Sequence, residues 1–250
     1  MLDHDCLPAK SSSVSPPSVE LRGAVDAMLR RISSGDHSRL RKRLSDAERW
    51  QNCRSLMNDH GVRYAAATID SFELSEDRAM AQRQNVVLRS VQDFVDHMPE
   101  RLAAGGLILF GPQGTGKDHL LVAALRSAIV EHGFSVVWRD GVRLQSEVRQ
   151  AIADDRESKL RHELSETHIL AISDPMPPMG ELNQWQTSFL RDVVDRRYAR
   201  GLTTWITCNV ASLDDLKVAL TPPLAARLLD RATVLHCNWP SYRRPARIVS

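Results

Sequence analysis

The chain has 250 residues, 42% hydrophobic and 26% charged, with four cysteines and a formal net charge of +2. No apolar run approaches the roughly 18 residues of a membrane span, and the opening Asp3-His4-Asp5 lacks the basic-then-apolar pattern of a secretory signal. Cys6, Cys53, Cys208 and Cys237 lie far apart with no C-x-x-C pair, which argues against structural zinc and leads us to expect a cytoplasmic protein with reduced thiols and no membrane association.

In chain order, residues 1–18 are rich in Ser and Pro (Ser11–Ser13, Ser15, Pro16, Pro17) and read as a disordered tail. Residues 19–62 read as a small helical region that docks on a partner or on the main domain. Within it Ser45-x-x-Glu48 forms a capping box ahead of Trp50, Cys53, Leu56 and Met57, expected on one side of a helix. Charge concentrates in this part. Residues 21–63 hold ten Lys/Arg against five acids, so the stretch suits either an acidic partner surface or nucleic acid, or is a solvated basic face.

From residue 63 to 250 helices and strands alternate, the signature of a parallel sheet covered on both faces. Ser75, with Glu76 and Asp77 in the first turn, is expected to cap a helix whose apolar face is Met80, Val87, Leu88, Val91, Phe94 and Val95 and which Pro99 ends. A strand follows over 106–110, then a helix over 118–132 stopped by Gly133, a strand over Phe134–Trp138 and a helical stretch over Val142–Leu164. Strands over His168–Ser173, Leu202–Thr207 and Thr233–Cys237 complete five. Between them lie a helix over Gln184–Ala199 and one or two helices over Ser212–Asp230.

The segment Gly111-Pro112-Gln113-Gly114-Thr115-Gly116-Lys117-Asp118 has the G-x-x-x-x-G-K spacing of a phosphate-binding loop. It leaves a buried strand and opens a helix. There glycines let the backbone aim N–H groups at one point, the helix N-terminus favours an anion, and a lysine reaches the β- and γ-phosphates. An aspartate stands at 118, where a serine or threonine hydroxyl ordinarily meets Mg²⁺. Ile169–Ser173 followed by Asp174 has the form of a Walker B strand, whose terminal carboxylate reaches the metal. The reading also leaves room for a simple turn aspartate, since Asp-Pro is common in turns. Asn209, after the strand ending at Thr207, is placed to orient water beside the γ-phosphate, or is a plain turn residue before a helix.

The order of these pieces resembles the DnaC-like bacterial helicase loaders of the AAA+ class and their relative IstB, the transposition helper. The resemblance covers roughly 63–243. It rests on Arg63-Tyr64-x-x-Ala67-Thr68-x-Asp70-x-Phe72, Gly114–Leu120, Ile169–Asp174, Val194–Tyr198, Thr207-Cys208-Asn209, Ala226–Arg231 and Asn238-Trp239-Pro240-Ser241-Tyr242-Arg243. It implies a P-loop NTPase of the AAA+/ASCE kind, with a five-stranded parallel sheet between helices and a small helical N-terminal region in front.

It further implies that ATP and Mg²⁺ are the cofactors, that residues 111–118 with His119 and Arg243 (a sensor 2-like residue) hold the nucleotide, and that Asp118 and Asp174 hold the metal. Asn209 would be sensor 1. Arg227, with Arg231 one turn on, would be the arginine finger that reaches a neighbouring subunit's nucleotide. The implied partners are a hexameric replicative helicase, DNA (single-stranded favoured) and further copies of the chain at the ATP interface. The implied function is helicase loading in replication. The alternatives are a transposition helper that binds DNA and recruits a transposase, or a module that binds nucleotide without hydrolysing it. Two departures bear on ATP hydrolysis: Asp118, and Pro175 where the family carries a water-polarising glutamate. Glu181 is the nearest carboxylate downstream.

Overall fold

The computed structural model describes residues 42–61, 64–98, 105–176 and 184–243, all within the compact unit 38–250. Five short strands, β1 (Leu107–Phe110), β2 (Val136–Asp140), β3 (Ile169–Ser173), β4 (Thr203–Cys208) and β5 (Thr233–His236), form one sheet in the order β2-β3-β4-β1-β5. Every pairing is parallel. The helices are α1 (Asp46–His60), α2 (Arg78–Asp96), α3 (Lys117–Val130), α4 (Gly141–Ala153), α5 (Glu157–Glu166), α6 (Gln184–Ala199), α7 (Leu213–Leu220) and α8 (Pro222–Leu229). The α/β P-loop architecture with a five-stranded parallel sheet is thus present.

Strand alternation sorts the interior into two cores. Leu107, Leu109, Ile169, Ala171 and Trp205 point to one face, where they meet α3 together with α1 and α2. Ile108, Phe110, Leu170, Ile172 and Ile206 point to the other, beneath α4, α6, α7 and α8. Both cores are apolar because a parallel sheet is buried on both sides. The central helix α3 is correspondingly buried on nearly all sides, with Leu120, Leu121, Ala124, Leu125, Ala128 and Ile129 fully covered.

α1 packs against α3 and β2. Glu48 accepts hydrogen bonds from the Ser45 N–H (2.7 Å) and hydroxyl (2.6 Å), which fixes the helix start. The expected single apolar side does not form. Leu56 is buried and Cys53 partly so, whereas Trp50 is 72% exposed and Met57 41%. At about 100° per residue Trp50 and Met57 share one direction, and Leu56 lies about 120° from it. Docking is polar instead. Asn52 pairs both ways with the backbone of Val136 at 2.9 Å, which covers an edge of the sheet as a further strand would. Arg43 donates to His132 O (2.7 Å) and Arg49 to Val130 O (3.0 Å). These cations sit where the α3 carbonyls end and the helix dipole is negative. Part of the basic 21–63 segment therefore serves the fold itself.

Three other expectations change. The cap of α2 is Asp77, whose carboxylate accepts from Met80 N (2.8 Å); Ser75 stands before the helix and accepts from the Asp77 N–H. The stretch 142–164 is two helices, broken where Asp155 takes φ 54. The stretch 212–230, expected as one or two helices, is two, parted at Thr221 (φ 66) before Pro222. Strand β2 runs two residues later than the sequence suggests. The expected tail, Pro99 and Glu181 lie outside the described residues.

Candidate functional site

β1 runs out at Phe110, between the ends of β4 and β5, and the loop 111–116 carries the chain into α3. Gly114 (φ 80) and Gly116 (φ 86) hold left-handed backbone, a conformation that costs other residues about 1–2 kcal/mol. Space is restricted too. A Cβ at Gly114 would meet Ser241 Oγ at 2.0 Å, and one at Gly116 would meet Phe72 Cε2 at 2.6 Å. Gly116→Ala is therefore expected to destabilise the protein by about 1–3 kcal/mol. A lower urea midpoint at unchanged slope checks this, and an unchanged midpoint contradicts the strained-loop reading.

Lys117, the first residue of α3, is buried. Its ammonium donates to Gly111 O (2.8 Å) and Pro112 O (2.6 Å). Burial pulls its pKa below the ordinary lysine value, while Asp118 and Asp174 act in the opposite direction. The cation is thus kept in a dry place inside the loop. Asp118 is held by two hydroxyls from the strand ends: Ser173 Oγ donates to its Oδ1 at 2.5 Å and Thr207 Oγ1 at 2.8 Å. Asp174 follows β3 at φ 49, a strained backbone of the kind that gathers at functional sites. Its N–H donates to Thr207 O (2.9 Å), and Asn209 Nδ2 donates to its Oδ2 (2.6 Å). Burial raises the Asp174 pKa and Asp118 adds to the rise, against the Asn209 hydrogen bond and Lys117. A Cβ on Gly141 would strike Asp174 O at 2.1 Å, so the β2–α4 turn has room for the Asp174 backbone only with glycine there.

Lys117, Asp118, Asp174 and Asn209 are thus brought together at the carboxyl ends of β1, β3 and β4, where ligands of open parallel sheets bind. The loop fits a phosphate chain: Gly114 and Gly116 hold the left-handed turns that shape it and leave no room for a Cβ against Ser241 and Phe72, and a buried ammonium stands at its base. The donor set also fits Mg²⁺, which takes one or two carboxylates and completes its shell with phosphate oxygens and water. Among the described residues no group of three or more His, Cys, Asp or Glu converges anywhere. Behind the loop, Cys208 and Cys237 are buried thiols; burial pushes Cys237 up to about 12 and Cys208 higher still, so both stay protonated.

A second layer grips the loop from outside. Trp239 Nε1 donates to Thr115 O and Tyr242 N to Gly114 O, both at 2.9 Å. Phe72 meets the rings of His119, Trp239 and Tyr242 edge-on. His119 turns away from the phosphate cradle, with Nε2 2.9 Å from Thr68 O and 3.2 Å from Ser71 Oγ. Arg243 lies exposed at the rim, its Cγ close to Gly114.

Arg227 is elsewhere. On α8 it pairs with Asp195 of α6 (2.5 Å) and donates to Pro223 O. It borders an open surface hollow with Tyr198 and Asp230. Arg231 is exposed nearby at φ 55. Neither belongs to the cluster around Lys117. Pro175 lines a largely apolar hollow with Leu144, Val148, Phe189 and Leu190, to which Gln145 and Gln186 also contribute, and it supplies no carboxylate where the resemblance implies one. Sequence reasoning missed Ser173 and Thr207 as holders of Asp118. The signal available was their place as polar residues ending two apolar strands.

A profile of the IstB-like ATP binding protein family matches residues 34–249. A protein of Sinorhizobium fredii named as an insertion sequence ATP-binding protein is 30% identical over 148 residues, which is 57% of this chain and 48% of that one. The chain thus spans about half the length of this relative. Among solved structures, the DnaC helicase loader superposes with TM-score 0.62 at 21% identity over 70% of this chain and 99% of that one. AMPPCP-bound DnaA from Aquifex aeolicus gives 0.56 at 14% over 71% and 50%. At such identities these structures speak for the fold. The phosphate loop, the sheet order and the family match agree: this chain belongs to the IstB-like ATP binding proteins, within the DnaC/IstB-like AAA+ class.

Proposed function

We propose that the protein is an ATP-switched assembly factor of a mobile element, which binds DNA and recruits a transposase. The observation that carries the switch is the buried Lys117, which feels the charges of Asp118 and Asp174, at the end of a glycine cradle. The helper role is supported by the family match over 34–249 and the insertion-sequence relative. Residues 111–118 would hold the phosphates, with Asn209 beside the terminal one and Arg243 at the rim. Asp118 and Asp174 would hold Mg²⁺, which supplies charge neutralisation when bound. Arg227, with Arg231 beside it, would serve a neighbouring copy by exchanging Asp195 for that copy's nucleotide, in the manner of an arginine finger. With no carboxylate at Pro175, turnover is slow and ATP acts chiefly as a binding signal. α1 shares the ATP domain's core, so we place the partner-binding region ahead of it, after the tail of residues 1–18. The setting is cytoplasmic. No helix among the described residues is long and apolar enough to cross a membrane.

Helicase loading is the second reading. It is favoured by the ending Asn238–Arg243 and by the nearly full coverage of the DnaC loader. Two measurements separate them. Fluorescence anisotropy with ATP and Mg²⁺ is expected to show duplex DNA bound at least about tenfold more tightly than with ADP. The immobilised full chain is expected to retain an insertion-sequence transposase and not the replicative helicase. Preference for single strands together with helicase capture would reverse the order. No response of DNA affinity to nucleotide would remove the switch.

A further inference from the structure

We infer that Asp118 makes nucleotide binding conditional on a divalent cation: the loop accepts the metal complex of a nucleoside triphosphate and rejects the free nucleotide. This rests on the nucleotide-binding reading above and adds a rule of admission to it. With a hydroxyl at 118, the charges around the phosphate position would be Lys117 and Asp174, which balance, and the N-terminus of α3 would leave the pocket attractive to anions. With Asp118 the pocket holds, among the described residues, one cation against two carboxylates. The extra charge sits in the first turn of α3, where it also cancels the helix's own positive end.

The carboxylate is not free to swing aside. Ser173 and Thr207 anchor its Oδ1 from two different strands, at 2.5 and 2.8 Å, and those two hydroxyls are themselves 3.1 Å apart. Hydroxyls fix the carboxylate without neutralising it. Oδ2 has no hydrogen-bond partner among the described residues. The charged groups that feel the carboxylate are its neighbours Lys117 and Asp174. His119 points outward to Thr68 and Ser71, and Arg243 stands in water at the rim, where its charge is screened. A bare triphosphate would thus meet a like charge at close range in a half-buried site, a penalty that reaches about a hundredfold or more in affinity. A divalent cation shared between phosphate and carboxylate turns the same group from repulsive to attractive.

The test is titration of the full chain with a fluorescent ATP analogue, in Mg²⁺ and in EDTA, for the native chain, Asp118→Asn and Asp118→Ser. Asparagine keeps an oxygen to accept from Ser173 and Thr207 and removes only the charge; serine restores the ordinary hydroxyl. Circular dichroism confirms that the variants are folded. The native chain is expected to lose about a hundredfold in affinity on removing Mg²⁺, and either variant less than about tenfold. Equal native affinity with and without Mg²⁺ overturns the inference and leaves the phosphate loop standing. A metal dependence undiminished in both variants overturns it as well, by assigning the effect to other groups. No binding of the native chain under either condition instead sinks the phosphate-loop reading, and the inference with it.

Discussion

Replacing Lys117 with alanine is expected to abolish ATP binding, with no saturation up to millimolar nucleotide in a fluorescent-nucleotide titration, a loss of about a thousandfold or more. The magnitude follows from charge. The ammonium is the one cation inside the cradle among the described residues, and it feels the charges of Asp118 and Asp174. A cation about 4 Å from a phosphate at an effective dielectric near 20 is worth about 4 kcal/mol, which is roughly three decades of affinity. Removing it also leaves the two carboxylates facing the phosphates alone, so repulsion adds to the lost attraction. The fold is expected to survive. The variant loses the hydrogen bonds to Gly111 O and Pro112 O, but it no longer buries a charge, and these effects oppose each other. A thermal midpoint within a few degrees of the native one, together with lost binding, is the expected pair of results. Native affinity in the variant would mean that the nucleotide binds somewhere else.

The parts of this site that could be read from the sequence are those fixed by local chemistry. A glycine loop between an apolar run and a helical repeat states its own geometry, so residues 111–118 and the strand before them were legible. The strand ending at Asp174 and the helix Gln184–Ala199 were also legible, because short apolar runs and helical spacing are one-dimensional signals. The pairings were not. Ser173 and Thr207 reach Asp118 from separate strands, and nothing in either segment announces the third residue. Asn52 finishing an edge of the sheet at Val136 joins residues far apart in the chain. Trp50 and Met57 misled because an apolar residue on a helix says nothing about which face docks when docking is by arginine and asparagine. The break at Asp155 was invisible because helical spacing continues across it. Arg227 illustrates the limit for function: resemblance proposes its role in an assembly, whereas within one chain its partner is Asp195.

Arg197→Met is expected to destabilise the protein by about 3–5 kcal/mol, more than any surface change. The side chain has no exposed surface, and its five N–H donors are all engaged. Nε donates to Thr204 Oγ1 (3.0 Å), one terminal nitrogen to Leu164 O (2.8 Å) and Thr167 O (2.9 Å), and the other to His168 O (3.1 Å) and Thr203 O. One guanidinium thereby ties the end of α5 and the approaches to β3 and β4 to the last turns of α6. Methionine fills most of the volume but leaves four buried carbonyls without these donors, and each orphaned acceptor costs about 1–3 kcal/mol before relaxation. For a domain of this size, 1 kcal/mol moves the thermal midpoint by about 2–4 °C, so a fall of about 10 °C or more is expected. Arg197→Lys is expected to recover less than half, because three rotatable donors cannot reproduce a planar fork. Urea unfolding of both variants measures this. A loss below about 1 kcal/mol in methionine would show that water replaces the guanidinium at those carbonyls. The position matters for the site because β3 and β4, pinned here at their starts, carry Asp174 and Asn209 just past their ends. Slack at one end of these strands reaches the phosphate cradle through the ladder between them, which pairs Ile169 with Thr203 and Ser173 with Thr207.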